Sequence, residues 1–355
     1  MVTKILHIDK YKADPGALEE AGRILRGGGL VAFPTETVYG LGGNALDPEA
    51  ARKIYAAKGR PSDNPLIVHI SQVSELTPLV KEIPAMAEPL IRKWWPGPMT
   101  LIFKKSGAVP DETTGGLDTV AVRMPSHPVA AALIKASGIP IAAPSANLSG
   151  RPSPTSARHV IEDMDGRIDM IIDGGECEIG LESTIIDVTG AEPELLRPGF
   201  ITIEDIRALT GSGKIDPAVT APGGDGLRPR APGMKYRHYA PKAPLAIVEG
   251  EPEAAAEEIN RLCSEAASRG QKAGVICSGA MAARIKCPLV AELGEDESPE
   301  SAAPRLFAAL RKMDEEGADL IYAQAYRDKG VGLAVMNRLR KAAGYNIIKV
   351  HSPLG

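Results

Sequence analysis

The sequence predicts an α/β protein in two parts: a mixed, twisted sheet with helices packed on it, then a smaller, parallel, Rossmann-like α/β domain at the C-terminal end. Three observations carry this. In the first 210 residues β-rich runs alternate with capped amphipathic helices. Between Gly211 and Pro241 the hydrophobic periodicity stops, and 11 of these 31 residues are Gly or Pro. From Leu245 onward strand and helix patterns alternate strictly, as βα repeats do. The expected domains are therefore residues 1–210, a Gly/Pro-rich linker over 211–241, and 242–355.

Taken in order, Asp14-Pro15 and Asp47-Pro48 each join an N-cap side chain to proline at the first helical position. Apolar residues come next at helical spacing, Leu18, Ala21 and Leu25 after the first and Ala51, Ile54 and Tyr55 after the second. β-rich runs bounded by turn residues predict strands at Leu30–Phe33, Leu66–Ile70, Met99–Phe103, Thr119–Arg123, Ile168–Ile172 and Ser183–Val188. Thr202 with Asp205 forms a capping box that opens another helix. After the linker come a strand at Leu245–Val248, a helix from about Pro252 and a strand at Gly274–Cys277. Ser298-Pro299 then caps a helix carrying Leu306, Leu310 and Met313, Leu320–Ala323 is a strand, and Val331, Val335 and Leu339 mark a final helix.

Lys and Arg number 41 against 45 Asp and Glu, a net charge of −4, which points away from a basic nucleic-acid coat. No run approaches the roughly 20 apolar residues that span a bilayer, and the first residues hold no signal-peptide core. A cytoplasmic location and no membrane partner are expected. Cys177, Cys263, Cys277 and Cys287 show no C-x-x-C spacing and read as reduced cysteines outside any structural zinc site.

Three stretches have the residue types for chemistry. Pro34-Thr-Glu-Thr37 places polar side chains at a strand end before a glycine-rich turn; it is a ligand-binding strand end or a plain turn. Lys58 and Arg60 end a helix before a Pro-rich loop; they form a triphosphate clamp or a cationic helix end. Ser145, Asn147, Ser149, Ser153 and Thr155 gather short hydrogen-bonding side chains in one proline-stiffened loop, suited to phosphate and ribose oxygens or to an ordinary Ser/Pro turn. His69, inside an apolar strand, is a ligand or a core histidine. The linker ends Lys235-Tyr-Arg-His-Tyr239, more cationic and aromatic than a spacer needs, and is a binding segment, with residues 211–241 then acting as an active-site lid, or a surface strap. No G-x-S-x-G triad context, H-E-x-x-H pair or G-x-G-x-x-G is present.

Together these stretches resemble one family. Phe33-Pro-Thr-Glu-Thr-Val-Tyr-Gly-Leu-Gly42, Lys58-x-Arg60 with Ser145-x-Asn147, Trp95-Pro-Gly-Pro98, Leu117–Pro125 and Gly180-Leu-Glu-Ser-Thr184 resemble the YrdC/Sua5 family, and Pro232–Pro241 with the domain C-terminal to it resembles the long, two-domain Sua5 form. The likeness covers essentially the whole chain. It implies a YrdC-like sheet in the first domain and a Sua5 C-terminal domain.

The activity it implies is that of a nucleotidyltransferase: ATP, L-threonine and bicarbonate or CO2 give L-threonylcarbamoyladenylate and pyrophosphate. The product then passes to a tRNA threonylcarbamoyl-transfer complex acting on adenosine 37 of tRNAs that read ANN codons. By motif match, Lys58, Arg60, Asn64, Thr119, Ser145, Asn147, Ser153 and Arg197 fall to ATP, with Tyr236 and His238 of the linker covering the nucleotide. Thr37, His69, Arg123, Ser183 and the Ala143 backbone fall to threonine and the carbamate. Lys58, Arg60, Ser145 and Asn147 are the expected catalytic set. Mg²⁺ is expected to accompany the ATP phosphates, with no dedicated carboxylate cluster. Two other readings are open. One is a tRNA- or double-stranded-RNA-binding protein without adenylation activity, opposed by the first domain's net charge of −6; weak RNA binding beside the enzyme activity is a milder form of it. The other is a carbamoyltransferase like the hydrogenase-maturation protein, opposed by the missing C-x-x-C pairs.

Overall fold

A computed structural model describes residues 2–9, 15–220, 230–232, 239–295 and 297–350. The chain divides into two compact units, Met1–Ser149 with Ser153–Lys235, and Gly150–Pro152 with Tyr236–Gly355.

The first unit runs β1 (Lys4–His7), α1 (Pro15–Arg26), β2 (Val31–Phe33), β3 (Gly40–Asn44), α2 (Pro48–Lys58), β4 (Ile67–His69), α3 (Ala87–Trp94), β5 (Met99–Lys104), α4 (Asp111–Thr114), β6 (Thr119–Arg123), α5 (Pro128–Ser137), β7 (Ile141–Ala142), α6 (Ala157–Met164), β8 (Met170–Asp173), β9 (Thr184–Asp187), β10 (Glu194–Arg197), α7 (Ile203–Thr210) and β11 (Lys214–Ile215). Among the described residues its eleven strands lie in the order β1-β8-β2-β3-β7-β4-β6-β5-β9-β10-β11, with parallel and antiparallel neighbours mixed.

Local chemistry sets the helix ends. Asp47 Oδ1 accepts from the Glu49 N–H at 2.9 Å, Pro48 is at the first helical position, and Gly59 closes α2 at φ +60°. Thr202 and Asp205 exchange both hydrogen bonds of a capping box at the start of α7. Asp14 lies outside the described residues. One core cluster joins Leu18, Ala21 and Leu25 of α1 to Leu133 and Ile134 of α5 and to Val31, Phe33, Ile141 and Ile172 of the sheet. Burying each Leu or Ile there contributes about 1.5–3 kcal/mol. A Cβ at Gly22 would stand 2.9 Å from the Ala136 carbonyl oxygen, so the close approach of α1 to α5 requires glycine.

One expectation is corrected here. The glycine-rich stretch after Thr37 is a strand, β3, paired antiparallel to both β2 and β7. A Cβ at Gly42 would meet Phe33 Cε1 and Ile141 Cγ2, each at 2.9 Å. Its glycines serve close packing on both sides of a central strand rather than reversal of the chain.

The first unit also continues past the point where periodicity fades. Lys214–Ile215 pairs parallel with β10. Arg230 faces Glu194 at 2.8 Å and Asp216 at 2.7 Å. Ala231 is fully buried in a cluster with Ile67, Ile102, Ala121, Ile185 and Leu196.

The second unit runs β12 (Leu245–Glu249), α8 (Pro252–Ser268), β13 (Ala273–Cys277), α9 (Gly279–Ala282), β14 (Val290–Glu292), α10 (Pro299–Ala302), α11 (Leu306–Glu315), β15 (Leu320–Gln324), α12 (Val331–Ala342) and β16 (Ile347–Lys349). Its strands are all parallel in the order β14-β13-β15-β12-β16. The single helix expected from Ser298 to Met313 is two, separated by a 3-10 turn at Ala303–Arg305. Pro304 has no N–H, and its ring excludes the carbonyl one turn back, so the α-ladder cannot continue through it.

Candidate functional site

Strand register builds the first half of the site. His69 pairs with Arg123, Arg123 with Thr100, Thr100 with Ile185, and Ile185 with Arg197. Residues directly opposite project to the same side of a sheet, so His69, Arg123 and Thr100 form a polar row across one face. Hydrogen bonds extend the row. Arg123 Nη1 donates to Thr37 Oγ1 at 2.8 Å and Nε to the Gly97 carbonyl at 3.3 Å. The Thr100 and Ser183 hydroxyls are 2.7 Å apart. Arg197 donates to Ser183 twice, to its Oγ and its carbonyl, each at 3.1 Å. The Ala143 N–H donates to the Ile67 carbonyl at 2.8 Å, on the strand that ends in His69.

The electrostatics at the His69 end of this row are set by burial around Arg123. Arg123 is 4 % exposed and Glu36 5 %, and their ion pair is 2.7 Å. Burial pushes the Glu36 carboxyl up, but the charge and hydrogen bonding of Arg123 outweigh it and hold the group below its ordinary 4.5. Burial first, and Arg123 second, push the His69 imidazole down to about 3. His69 therefore stays neutral at physiological pH, with Nδ1 3.1 Å from the Ile67 carbonyl oxygen.

The residues matched to ATP lie further along. Lys58 is buried, and its ammonium donates to the Ser145 carbonyl and, at 2.5 Å, to the Asn147 carbonyl. Ser145 Oγ donates to Asn147 Oδ1 at 2.5 Å. Arg60, also buried, donates to the carbonyls of Asn64 at 3.2 Å and Pro65 at 3.0 Å. Neither cation is a solvated helix end. Each instead gathers backbone carbonyls of a loop that contains another predicted site residue. Asn64 is 1 % exposed and, among the described residues, its Oδ1 has no hydrogen-bond partner. Ser153 Oγ donates to Glu182 Oε1 at 2.5 Å. Thr119 begins β6 and Arg123 ends it, about 13 Å apart at 3.3 Å per residue. Between them on the same face lie Ala121 and its register partners Ile67 and Ile102, an apolar floor covered by Ala231. Tyr236 and His238 lie outside the described residues.

Sequence reasoning missed three residues of this network. Glu36 sits inside the singled-out Pro34–Thr37 stretch, but nothing in the sequence says that its charge is spent on Arg123. Glu182 is one residue from Ser183 in a quoted motif. Thr100 is a hydroxyl in an otherwise apolar strand, and that exception was its only signal. Among the described residues no three His, Cys, Asp or Glu side chains converge as metal ligands, and no helix is long and apolar enough to cross a membrane.

Comparisons with known proteins agree with this architecture. The Sua5–YciO–YrdC family model, described as telomere recombination, matches residues 23–199, and the model for the threonylcarbamoyl-AMP synthase C-terminal domain matches residues 201–344. A threonylcarbamoyl-AMP synthase of Pyrococcus abyssi is 54% identical over 93% of this chain and 95% of its own length. That of Bacillus subtilis is 48% identical over 96% and 97%. The crystal structure of P. abyssi Sua5 complexed with L-threonine superposes with a TM-score of 0.92 at 52% identity, covering 99% of this chain and all of that one. The mixed sheet with its row of buried polar side chains, the parallel second unit and full-length relatives at this identity lead to one conclusion: the chain belongs to the threonylcarbamoyl-AMP synthase family.

Proposed function

We propose that the first unit joins L-threonine, inorganic carbon and ATP into L-threonylcarbamoyladenylate, releasing pyrophosphate, and that the Arg123 row takes the threonine end while the Lys58, Arg60 and Asn64 region takes ATP. The observation that carries the assignment is the spacing on β6, which separates a charged end at Arg123 from a polar end at Thr119 by an apolar floor. Threonine's amine nitrogen bonds to the carbon of CO2 and loses a proton. A carbamate oxygen then bonds to the α-phosphorus as the bond to pyrophosphate breaks. With bicarbonate as the carbon source, one water is also lost.

Neither step needs a covalent enzyme intermediate; both need two reactants held in line away from water. Arg123 is the planar fork for the threonine carboxylate, and Thr37 and Ser183 supply hydroxyls beside it. His69, being neutral, adds no second positive charge next to the amine that must react. The Lys58-tethered loop presents Ser145 and Asn147 to the nucleotide, and Ser153 and Arg197 complete its surround. Without a convergent carboxylate cage among the described residues, Mg²⁺ fits as an ion carried by the phosphates with most of its waters; it would neutralise phosphate charge. The adenylate then leaves for a separate transfer complex that modifies adenosine 37 of tRNA. Purified protein with ATP and Mg²⁺ should release pyrophosphate only when L-threonine and bicarbonate are both present. Equal release without threonine would reject the assignment, and RNA binding with no release at all would favour the nucleic-acid reading.

A further inference from the structure

The second unit contains a cavity that the adenylation chemistry does not use. It has a volume of about 390 Å³ and opens at the carboxyl ends of β12 and β15. In a parallel sheet this is the edge where ligands bind, most often where neighbouring strands send their chains in opposite directions. β13 and β15 diverge in this way, the chain moving outward to β14 after one and the other way to β16 after the other, and the cavity lies on the β15 side of that point, lined by the ends of β15 and β12 and by Met281 beyond β13. At the small end of the usual 300–1,000 Å³ range, the cavity suits a small metabolite and not a dinucleotide.

Gln324, the last residue of β15, lines it and is only 6 % exposed. Its Oε1 accepts from the Ser278 N–H at 2.9 Å, which fixes the orientation of the amide. Nε2, with two N–H donors, has no hydrogen-bond partner among the described residues. The residue is buried but this nitrogen is not among the enclosed atoms that lack partners, so its two N–H groups are open to a ligand or water in the cavity. Val248 of β12 lies opposite Gln324, and four residues further along the chain the 17-residue helix α8 begins at Pro252, on the same cavity. The N-cap residue of α8, Glu251, makes no side-chain capping bond, and Pro252 offers no N–H, so the positive end of this helix is uncapped by any side chain. The rim has the opposite sign. Its lining carries four carboxylates, Glu249, Glu251, Glu297 and Asp328, against two guanidiniums, Arg327 and Arg340, and Asp328 is engaged by Arg340 at 2.9 Å, which leaves Glu249 and Glu297 as the acidic side away from the α8 N-cap Glu251.

Donors inside and carboxylates at the rim match a molecule with a negative and a positive end a few ångströms apart. We propose that this cavity binds a small α-amino acid as its zwitterion, the carboxylate on Gln324 Nε2 and the α8 N-terminus, the ammonium toward Glu249 and Glu297. A nucleoside triphosphate is disfavoured by the acidic rim, and a polyamine would leave the inner donors unsatisfied.

Met281 and Met336 line the cavity and serve as reporters. The full-length protein, labelled with ¹³C at methionine methyls and assigned by Met→Leu variants, is titrated with glycine, L-serine, L-glutamine, L-lysine and L-threonine up to about 10 mM, corresponding to weak binding. At least one should shift both methyls saturably, whereas adenosine and spermidine should not. Gln324→Glu keeps the acceptor for Ser278 but replaces the inner donors with negative charge, and should weaken binding at least tenfold. The Glu249→Gln/Glu297→Gln double variant tests the rim in the same way, and serves alone if Gln324→Glu does not fold. The proposal is overturned if no amino acid gives a saturable shift, if only adenosine or spermidine does, or if binding survives these substitutions unchanged.

Discussion

Replacing Glu36 by Gln tests the electrostatic arrangement of the site most directly. The substitution keeps shape and one acceptor but leaves the Arg123 guanidinium, 4 % exposed, without its 2.7 Å counterion. Unpairing a buried charge costs about 3–5 kcal/mol, and the retained carbonyl places this case near the lower bound, about 3 kcal/mol. For a unit of this size that lowers Tm by about 6–12 °C at roughly 2–4 °C per kcal/mol. The assay is selective, because both tryptophans, Trp94 and Trp95, lie in the first unit, so urea unfolding followed by tryptophan fluorescence reports on that unit alone. The sign with pH comes from the lowered Glu36 carboxyl. Its contribution is complete above the ordinary value of 4.5 and is lost as pH falls through the lower folded value. The wild type should therefore lose stability on that acid limb, and Glu36→Gln should lack that part of the loss. Freed of its internal counterion, Arg123 should hold a carboxylate more tightly, so the KM for L-threonine should fall in the variant. Stability within 0.5 kcal/mol of wild type, the scatter of ordinary surface substitutions, or a KM for threonine raised about tenfold, would refute the reasoning. The second result would put Glu36 on the substrate instead of behind Arg123.

Arg60→Ala removes two bonds from a buried cation to carbonyls and should cost about 10- to 100-fold in ATP-dependent pyrophosphate release, with KM for ATP rising and KM for threonine unmoved; equal changes in both would remove Arg60 from the nucleotide end. His69 titrates at about 3 when folded against an ordinary 6.5. Between those values the unfolded chain binds a proton that the folded one does not, so stability should rise with pH there by about 1.4 kcal/mol per unit; His69→Gln should flatten that slope in pH-dependent urea unfolding. Ala231→Asp places an unpaired charge in a fully buried apolar cluster and should destabilise the first unit by several kcal/mol in the fluorescence assay; no change would mean that Ala231 does not cover the sheet as described.

Features that depend on a few neighbouring residues were legible from the sequence. The strand Thr119–Arg123 and the capping box at Thr202 appear as read, because alternation and capping are local. β3 was not legible, since its glycines look like a turn until Phe33, Ile141 and Ile54 are known to press on them. The break at Pro304 was hidden because the apolar spacing resumes in phase after it. The site divides in the same way. The motif residues are visible one by one, but the register that aligns His69, Arg123 and Thr100 across three strands is a tertiary fact. So is the pairing of Glu36 with Arg123.

The neutral imidazole of His69, beside an arginine and a carboxylate already ionised, gives the Arg123 row, proposed above to take threonine, a charge pattern that is constant throughout the neutral range. Among the described residues of that row, His69, Glu36 and Arg123 supply no change of charge there with which to adjust turnover. The reactants must supply it, through the ammonium proton that threonine has to lose and the partition of inorganic carbon between CO2 and bicarbonate. On the proposed reaction, the output of adenylate tracks the amine protonation and the carbonate chemistry of the surrounding solution.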